Sequence, residues 1–152
     1  MPVVLAGTDG TLSAEVVSAI TSDPAISRIV LLGGPAVVSD AVRDQLGPAY
    51  EYVRLGGSDR YATSSLVADW ACAQSLGWTH PHVVTGRGFA DALAGAASAG
   101  VRSSVLLLSD DTGAVTLTNL KNHAGEVVDV VILGGSQAVS TEIENYLATT
   151  FR

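Results

Sequence analysis

"VLLGGPAVVSDAVRDQL" (residues 30–46) and "VILGGSQAVSTEIENYL" (131–147) align without a gap at an offset of 101 residues. In each copy an apolar, β-branched run meets a Gly-Gly pair, then a Val-Ser step, then an amphipathic stretch that closes on leucine. The first part reads as a buried strand and the last as a helix, with Ser39 or Ser140 as cap. "VVLAGTD" (3–9) resembles "VLLLSDD" (105–111) at nearly the same offset. The chain therefore reads as the back half of one repeat (1–49) followed by one complete repeat (50–152), in a single domain 1–152. Repeated units of this kind stack, each burying what its neighbour exposes.

Outward from these two stretches, short apolar runs alternate with helical patterns. Strands are expected near 2–6, 28–33, 50–55, 81–85, 104–109 and 128–133. Helices are expected near 12–20, 38–46, 60–76, 89–99, 114–122 and 138–149. The strands are continuously apolar ("IVLL", "VLLL", "VVIL"), as in a sheet covered on both faces. Alternating strand–helix units then imply the α/β class: a three-layer sandwich around a mostly parallel sheet, with an internal repeat of about 100 residues. In the 60–76 helix, Ala62, Leu66, Val67, Trp70 and Ala71 form one stripe and are expected to face the core.

Bulk properties exclude several classes. The eight basic residues are scattered singly and net charge is −7, so nucleic acid is not an expected partner. The longest apolar runs are too short to cross a bilayer. The opening "MPVVLAGTDG" has no basic lead-in and no cleavage site, so no export signal is read in it. Cys72 is the only cysteine. It cannot form a disulfide within the chain and reads as a small buried apolar residue.

The glycine turns raise the question of a ligand. Gly33–Gly34 and Gly134–Gly135 each end a strand, where glycine permits a tight corner. Asp40 follows one pair, and Glu142 and Glu144 the other; these carboxylates complement the helix dipole and would repel a phosphate. Gly86 and Gly88 are spaced like the opening of a dinucleotide fingerprint, yet Asp91 stands where a small third residue is needed. No P-loop Gly-Lys-Ser/Thr occurs. Asp91 either accepts N–H bonds or pairs with an arginine, or it shares a polar pocket with Arg87. Arg60, in the first turn of its helix, opposes the dipole and so implies a partner: Asp59, Asp91 or a ligand anion.

Catalytic patterns are thin. His80 and His82 form a His-x-His pair without a third ligand at metal spacing, so no metal site is expected; His123 lies at a helix end. Asp110–Asp111 either cap the 114–122 helix or hold a cation at a sheet edge. No Gly-x-Ser-x-Gly elbow occurs.

Taken in order, "RLGGSDRYATSSLVA", "TGRGFADALAGAASA", "SVLLL" and "VILGGSQAVSTEIENYL" resemble the motifs of the cell-wall-binding repeat type 2 family of Gram-positive surface proteins. Gly57, Arg60, Tyr61 and Thr63 match the first motif; Gly86, Phe89, Asp91, Ala92 and Leu93 the second; Leu133, Gly134, Gly135, Ala138, Val139 and Ser140 the last. Ala90 stands where the family usually has proline. The Pro-Ile-Leu-Leu motif becomes "PVVL" (2–5) and "SVLLL" (104–108).

The resemblance implies a secreted, cell-wall or surface-layer location and no catalysis or cofactor. It also implies noncovalent anchoring to an anionic wall polysaccharide or teichoic-acid-like polymer, with adjacent repeats or further copies of the chain as partners. Arg54, Arg60, Arg87 and Arg102 fall near expected strand ends, where a shared groove concentrates positive charge; with Tyr61 and Asp91 they are the candidate ligand contacts. Gly33, Gly34, Gly56, Gly57, Gly86, Gly88, Gly134 and Gly135 are the structural turns. A self-associating structural element and a nucleotide-binding enzyme domain are the alternative readings.

Overall fold

A computed structural model describes residues 2–151. The chain forms two compact units, Met1–Ser58 and Asp59–Arg152. Packing changes over after Ser58, because the strand at 51–55, which the sequence reading assigns to the second repeat, pairs within the first unit.

That first unit holds α1 (Ala14–Thr21), β1 (Arg28–Leu32), α2 (Ala41–Leu46) and β2 (Glu51–Leu55). β1 and β2 run parallel, from Arg28 opposite Glu51 to Leu32 opposite Leu55. Leu12, Ile20, Leu31, Val42 and Leu46 form the core, with Val16, Val17, Tyr50 and Tyr52 packed against it. Val42 and Leu46 lie one helical turn apart and give α2 a single apolar stripe. Burying each such side chain contributes about 1.5–3 kcal/mol. Gln45 ties α2 to the start of α1: its Nε2 donates to the Leu12 carbonyl (2.9 Å) while its Oε1 accepts from the Leu12 N–H (3.0 Å).

In the second unit, α3 (Arg60–Ala73), β3 (Gly77–Thr85), α4 (Ala90–Val101), β4 (Ser104–Ser109), α5 (Ala114–Asn122), β5 (Val131–Leu133) and α6 (Thr141–Thr150) follow in order. The sheet has the order β4-β3-β5, all parallel. Alternation along the strands decides which helix covers which face. Val83, Val105 and Leu107 point into a core with Ala68 of α3, Leu120 of α5 and Ile143 and Leu147 of α6. On the other face, α4 packs so closely at Gly95 that an added Cβ would lie 3.0–3.3 Å from Leu106, Val84 and Leu133. Three layers result, helix–sheet–helix, as the α/β reading expects.

Three expectations are corrected. Residues 2–6 form no strand, and Val3 and Leu5 are exposed. Their counterpart β4 is held by β3, whereas residues 2–6 enter no strand pairing among the described residues. The buried face of α3 is centred on Ala68 rather than on the bulky stripe; Leu66 is exposed and Trp70 half-buried. Hydrogen bonds set this face: the Ser64 hydroxyl accepts from the Leu108 N–H of β4 (3.1 Å), and Ser65 meets Asn119 of α5. Trp78, on β3, is the tryptophan that enters the core, stacked on His123 at 4.1 Å between centroids.

The two Gly-Gly stretches take the same local conformation at the offset of 101. Val37 and Val38 both donate to the Gly34 carbonyl (2.9 and 3.0 Å), and Ala138 and Val139 to the Gly135 carbonyl (2.8 and 3.1 Å). Gly33 has φ +117 and Gly134 φ +110, a region closed to most side chains. The upstream similarity also settles at 101. Asp9 accepts from Thr11 N and Oγ1, and Asp110 accepts from Thr112 N and Oγ1. Two Asp-x-Thr turns therefore sit at matching places.

Candidate functional site at the strand ends

In the first unit the strands end at the Gly33–Gly34 turn and at Arg54–Gly57. The Arg54 guanidinium donates through Nη1 to the carbonyls of Gly33 and Val38, both at 2.8 Å, and through Nη2 to Asp40 Oδ1 at 2.8 Å. Its side chain is only 17% exposed. Arg54 is thus a clamp on the turn, fully engaged by two carbonyls and one carboxylate. Gly56 allows the close approach: a Cβ there would lie 2.7 Å from both Gly33 C and Gly34 N.

Within the second unit Arg60 and Tyr61 act on the turn after β3. Asp59 caps α3, accepting from the Ala62 N–H at 2.8 Å, which fixes where the first helical turn points. Arg60 Nη1 then donates to the Gly86 carbonyl at 2.7 Å. The Tyr61 ring lies on Gly86, where a Cβ would overlap its Cε1 edge. The unfavourable dipole position of Arg60 is offset by a carbonyl acceptor, not by Asp59 or Asp91. Gly86 also continues the β3–β4 ladder through its N–H to the Ser109 carbonyl at 2.9 Å. Gly88 faces open space with an ordinary φ. Tyr61 takes up the close approach at Gly86 that a pyrophosphate would need.

Arg87 projects from the same turn and pairs with Asp111, after β4; its side chain is 51% exposed. Phe89, two residues on, is 77% exposed. Asp91 sits in the first turn of α4, its Oδ2 3.1 Å from where a Cβ on Gly134 would lie. The C-terminal edge of this sheet thus collects Arg60, Tyr61, Gly86, Arg87, Asp91 and the Gly134–Gly135 turn, the edge where open parallel α/β sheets hold ligands.

Arg102 does not join them. It follows α4 and precedes β4, at the N-terminal edge, with Nη1 3.8 Å from Asp129. In a parallel sheet the two edges are opposite, so one groove does not hold both Arg87 and Arg102.

The remaining polar candidates have local partners. His80 Nδ1 lies 3.0 Å from Asp129. His82 is fully buried between the His80 carbonyl and Ser98 Oγ, each at 2.9 Å, and burial holds its pKa below the usual imidazole value. Asp110 accepts N–H bonds from Thr112 (3.0 Å) and Gly113 (2.7 Å), shaping the entry to α5, and the Thr112 hydroxyl, followed by these N–H bonds, lowers its pKa. Burial raises that of the Cys72 thiol, the opposite of a reactive cysteine. Among the described residues no group of three or more His, Cys, Asp or Glu side chains is placed to hold a metal.

Comparison with known proteins gives this edge a context. Residues 54–144 match the family described as "Cell wall binding domain 2 (CWB2)", a span that runs from Arg54 past the Gly134–Gly135 turn and Ser140. Among curated proteins, the chain is 29% identical over 134 residues to N-acetylmuramoyl-L-alanine amidase LytC of Bacillus subtilis, covering 86% of this chain and 25% of that one. It is 29% identical over 126 residues to the amidase enhancer of the same organism, covering 82% and 17%. The chain therefore spans a quarter or less of the curated relatives it matches.

Among solved structures, Cwp6 from Clostridium difficile superposes with a TM-score of 0.82 at 22% identity, covering 98% of this chain and 23% of that one. Cwp8 from the same organism gives 0.64 at 26%, covering 82% and 20%. Both likenesses bear on the fold.

Proposed function

The chain belongs to the Cell wall binding domain 2 family, and from that premise we propose that it is a non-catalytic module holding a surface protein, noncovalently, to an anionic wall polymer. The proposed contact is the C-terminal edge of the second unit's sheet. Family membership carries wall binding and a surface or secreted location; the polymer's charge and the contact residues are our own reading.

One observation carries it. Arg87 is the candidate arginine at this edge whose side chain is half-exposed and whose ion-pair partner is an exposed carboxylate, Asp111. Exposed ion pairs are worth about 0–1 kcal/mol, so a phosphate or carboxylate of a polymer can replace Asp111 at little cost. It gains a bidentate guanidinium contact. Phe89 offers an apolar ring beside it. Arg54 and Arg60, by contrast, hold backbone carbonyls and position the turns. Against a net charge of −7, attachment then depends on local geometry, and added salt weakens it.

The test is co-sedimentation with purified walls before and after chemical removal of their anionic polymers. Retention lost on that removal, and lost in Arg87→Ala with the fold intact, is the expected result. Equal retention on stripped walls overturns the polyanion reading.

A self-associating element is the second reading, favoured by the outer face of α4. Phe89, Leu93 and Val101, spaced by four or eight residues, are 77%, 66% and 90% exposed. A charge-free apolar stripe of this kind marks contact surfaces. Sedimentation velocity separates the two, since a Leu93→Lys change abolishes association only if that face mediates it.

A further inference from the structure

Between them, α3 and α5 leave a shallow groove of about 420 Å³, lined by Ser65, Ala114, Val115, Thr118, Asn119 and Asn122. Asn119 ties its floor together: the side-chain Nδ2 donates to Ser65 Oγ and reaches Asp69 Oδ2 at 3.5 Å. The other end of that amide is orphaned. Asn119 is 8% exposed, and its Oδ1 is buried with no donor among the described residues. Buried polar atoms are nearly always paired. Ser65 is complementary, because its oxygen is taken by Asn119 while its hydroxyl hydrogen has no acceptor among the described residues. Asn122 is exposed and keeps its whole side-chain amide unpaired there.

The repeat does not demand this arrangement. At the offset of 101, α1 carries Val17, Ser18 and Thr21 where α5 carries Thr118, Asn119 and Asn122. A buried asparagine with one free end therefore belongs to the second unit and not to the shared architecture. Charge narrows the ligand. None of the lining residues is ionisable, and Asp69, the carboxylate beside the floor, also meets His123 Nε2 at 3.3 Å. An anion finds no cation here. The groove presents one orphaned acceptor, one hydroxyl donor, one amide with both functions, and the small apolar side chains of Ala114 and Val115. That set complements a secondary amide bearing a methyl group.

The geometry points to a subsite for the acetamido group of an N-acetylated amino sugar. The ligand N–H donates to Asn119 Oδ1, reached as the exposed side chains of Thr118 and Asn122 turn aside. Its carbonyl accepts from the Ser65 hydroxyl and the Asn122 amide, and its methyl group lies on Ala114 and Val115. A peptide amide shares the N–H and the carbonyl, but it brings a side chain on either side, and this shallow groove has an apolar place for one methyl. The subsite goes beyond the polyanion reading and is separate from it: Arg87 acts by charge and responds to salt, and this groove is neutral.

The test is an amide NMR titration of the full chain with N-acetylglucosamine, N-acetylgalactosamine, glucose and N-acetylalanine methylamide. Expected are saturable shifts at Ser65, Thr118 and both amides of Asn119 with the two acetylated sugars. Glucose should bind at least about fivefold more weakly, since it leaves the buried acceptor unpaired. Asn119→Leu keeps the size and removes the acceptor, and Asn122→Ala changes an exposed side chain that the fold does not use. Each should weaken binding of the acetylated sugars about fivefold or more, with melting curves confirming the fold. The absence of saturable shifts with either acetylated sugar overturns the inference. So does equal binding of glucose, tighter binding of the peptide amide, or unchanged binding in either folded variant. A chain that keeps Arg87-dependent retention on walls while binding neither sugar overturns this inference alone.

Discussion

The Tyr61 ring lies against the α-carbon of Gly86, close enough that a Cβ at Gly86 would occupy the place of the ring's edge. The glycine's use here is a missing side chain rather than an unusual φ, since its backbone is that of an ordinary strand end. Gly86→Ala is therefore expected to destabilise the second unit by about 1–3 kcal/mol through overpacking. Tyr61→Leu removes the clash and should recover part of that loss. Chemical denaturation of the two single variants and the double variant measures the coupling. Additive effects would show that the ring and the glycine do not meet.

Arg54 and Asp40 are expected to separate just as clearly. Arg54→Met leaves two carbonyls of the turn without their donor and should cost about 1–3 kcal/mol. Arg54→Lys should restore little of this, because an ammonium cannot span both carbonyls and the carboxylate in one plane. Asp40→Ala, at an exposed carboxylate, should cost under about 1 kcal/mol. Urea titration followed by tyrosine fluorescence reads all three.

Much of this edge was legible from the chain, and its limits have physical causes. The repeat at 30–46 and 131–147 was visible because strand, positive-φ glycine and helix face each constrain residue type, and the same hydrogen bonds then recur at 101 residues. Arg60 was flagged by its poor fit to the helix dipole. Its acceptor was not foreseen, because a carbonyl leaves no mark on residue identity. The groove joining four arginines failed on topology: Arg102 precedes a strand and Arg87 follows one, and parallel pairing sends them to opposite edges. The strand at 2–6 failed because propensity describes a segment and not its partner; "VVL" alone does not supply a neighbour to bond. Trp78 was missed in favour of Trp70 because helical periodicity ignores the serine contacts that turn α3.

His82 makes stability depend on pH. Fully buried and held by Ser98 and a carbonyl, it has its pKa lowered in the folded chain, with burial the main cause, reinforced by Arg102 and His80 and opposed by the His80 carbonyl and Asp129. Its folded pKa is thus below the unfolded value of 6.5. The unfolded state binds the proton first, so stability is full above that value and declines as pH falls through it, toward the lower folded pKa. Melting temperature should drop between pH 7.5 and 5.5. His82→Asn, although less stable at neutral pH, should flatten that slope; an unaltered slope would assign the dependence to other groups.

Arg87 and Asp111 give the wall-binding proposal its sharpest consequence, because the two members of one ion pair should act in opposite directions. Removing the cation in Arg87→Ala takes away the contact offered to a polyanion, and retention on walls should fall several-fold, with the difference shrinking as salt rises and screens both forms. Removing the anion in Asp111→Ala leaves Arg87 unpaired at an edge that is otherwise unchanged, and retention should rise. Both side chains are half-exposed or more, so neither change should move stability by more than about 0.5 kcal/mol. Binding isotherms on purified walls at two salt concentrations, beside melting curves for each variant, check the pattern. A fall in both variants would mean that the pair serves to shape the turn, and the polymer contact would then lie elsewhere on the molecule.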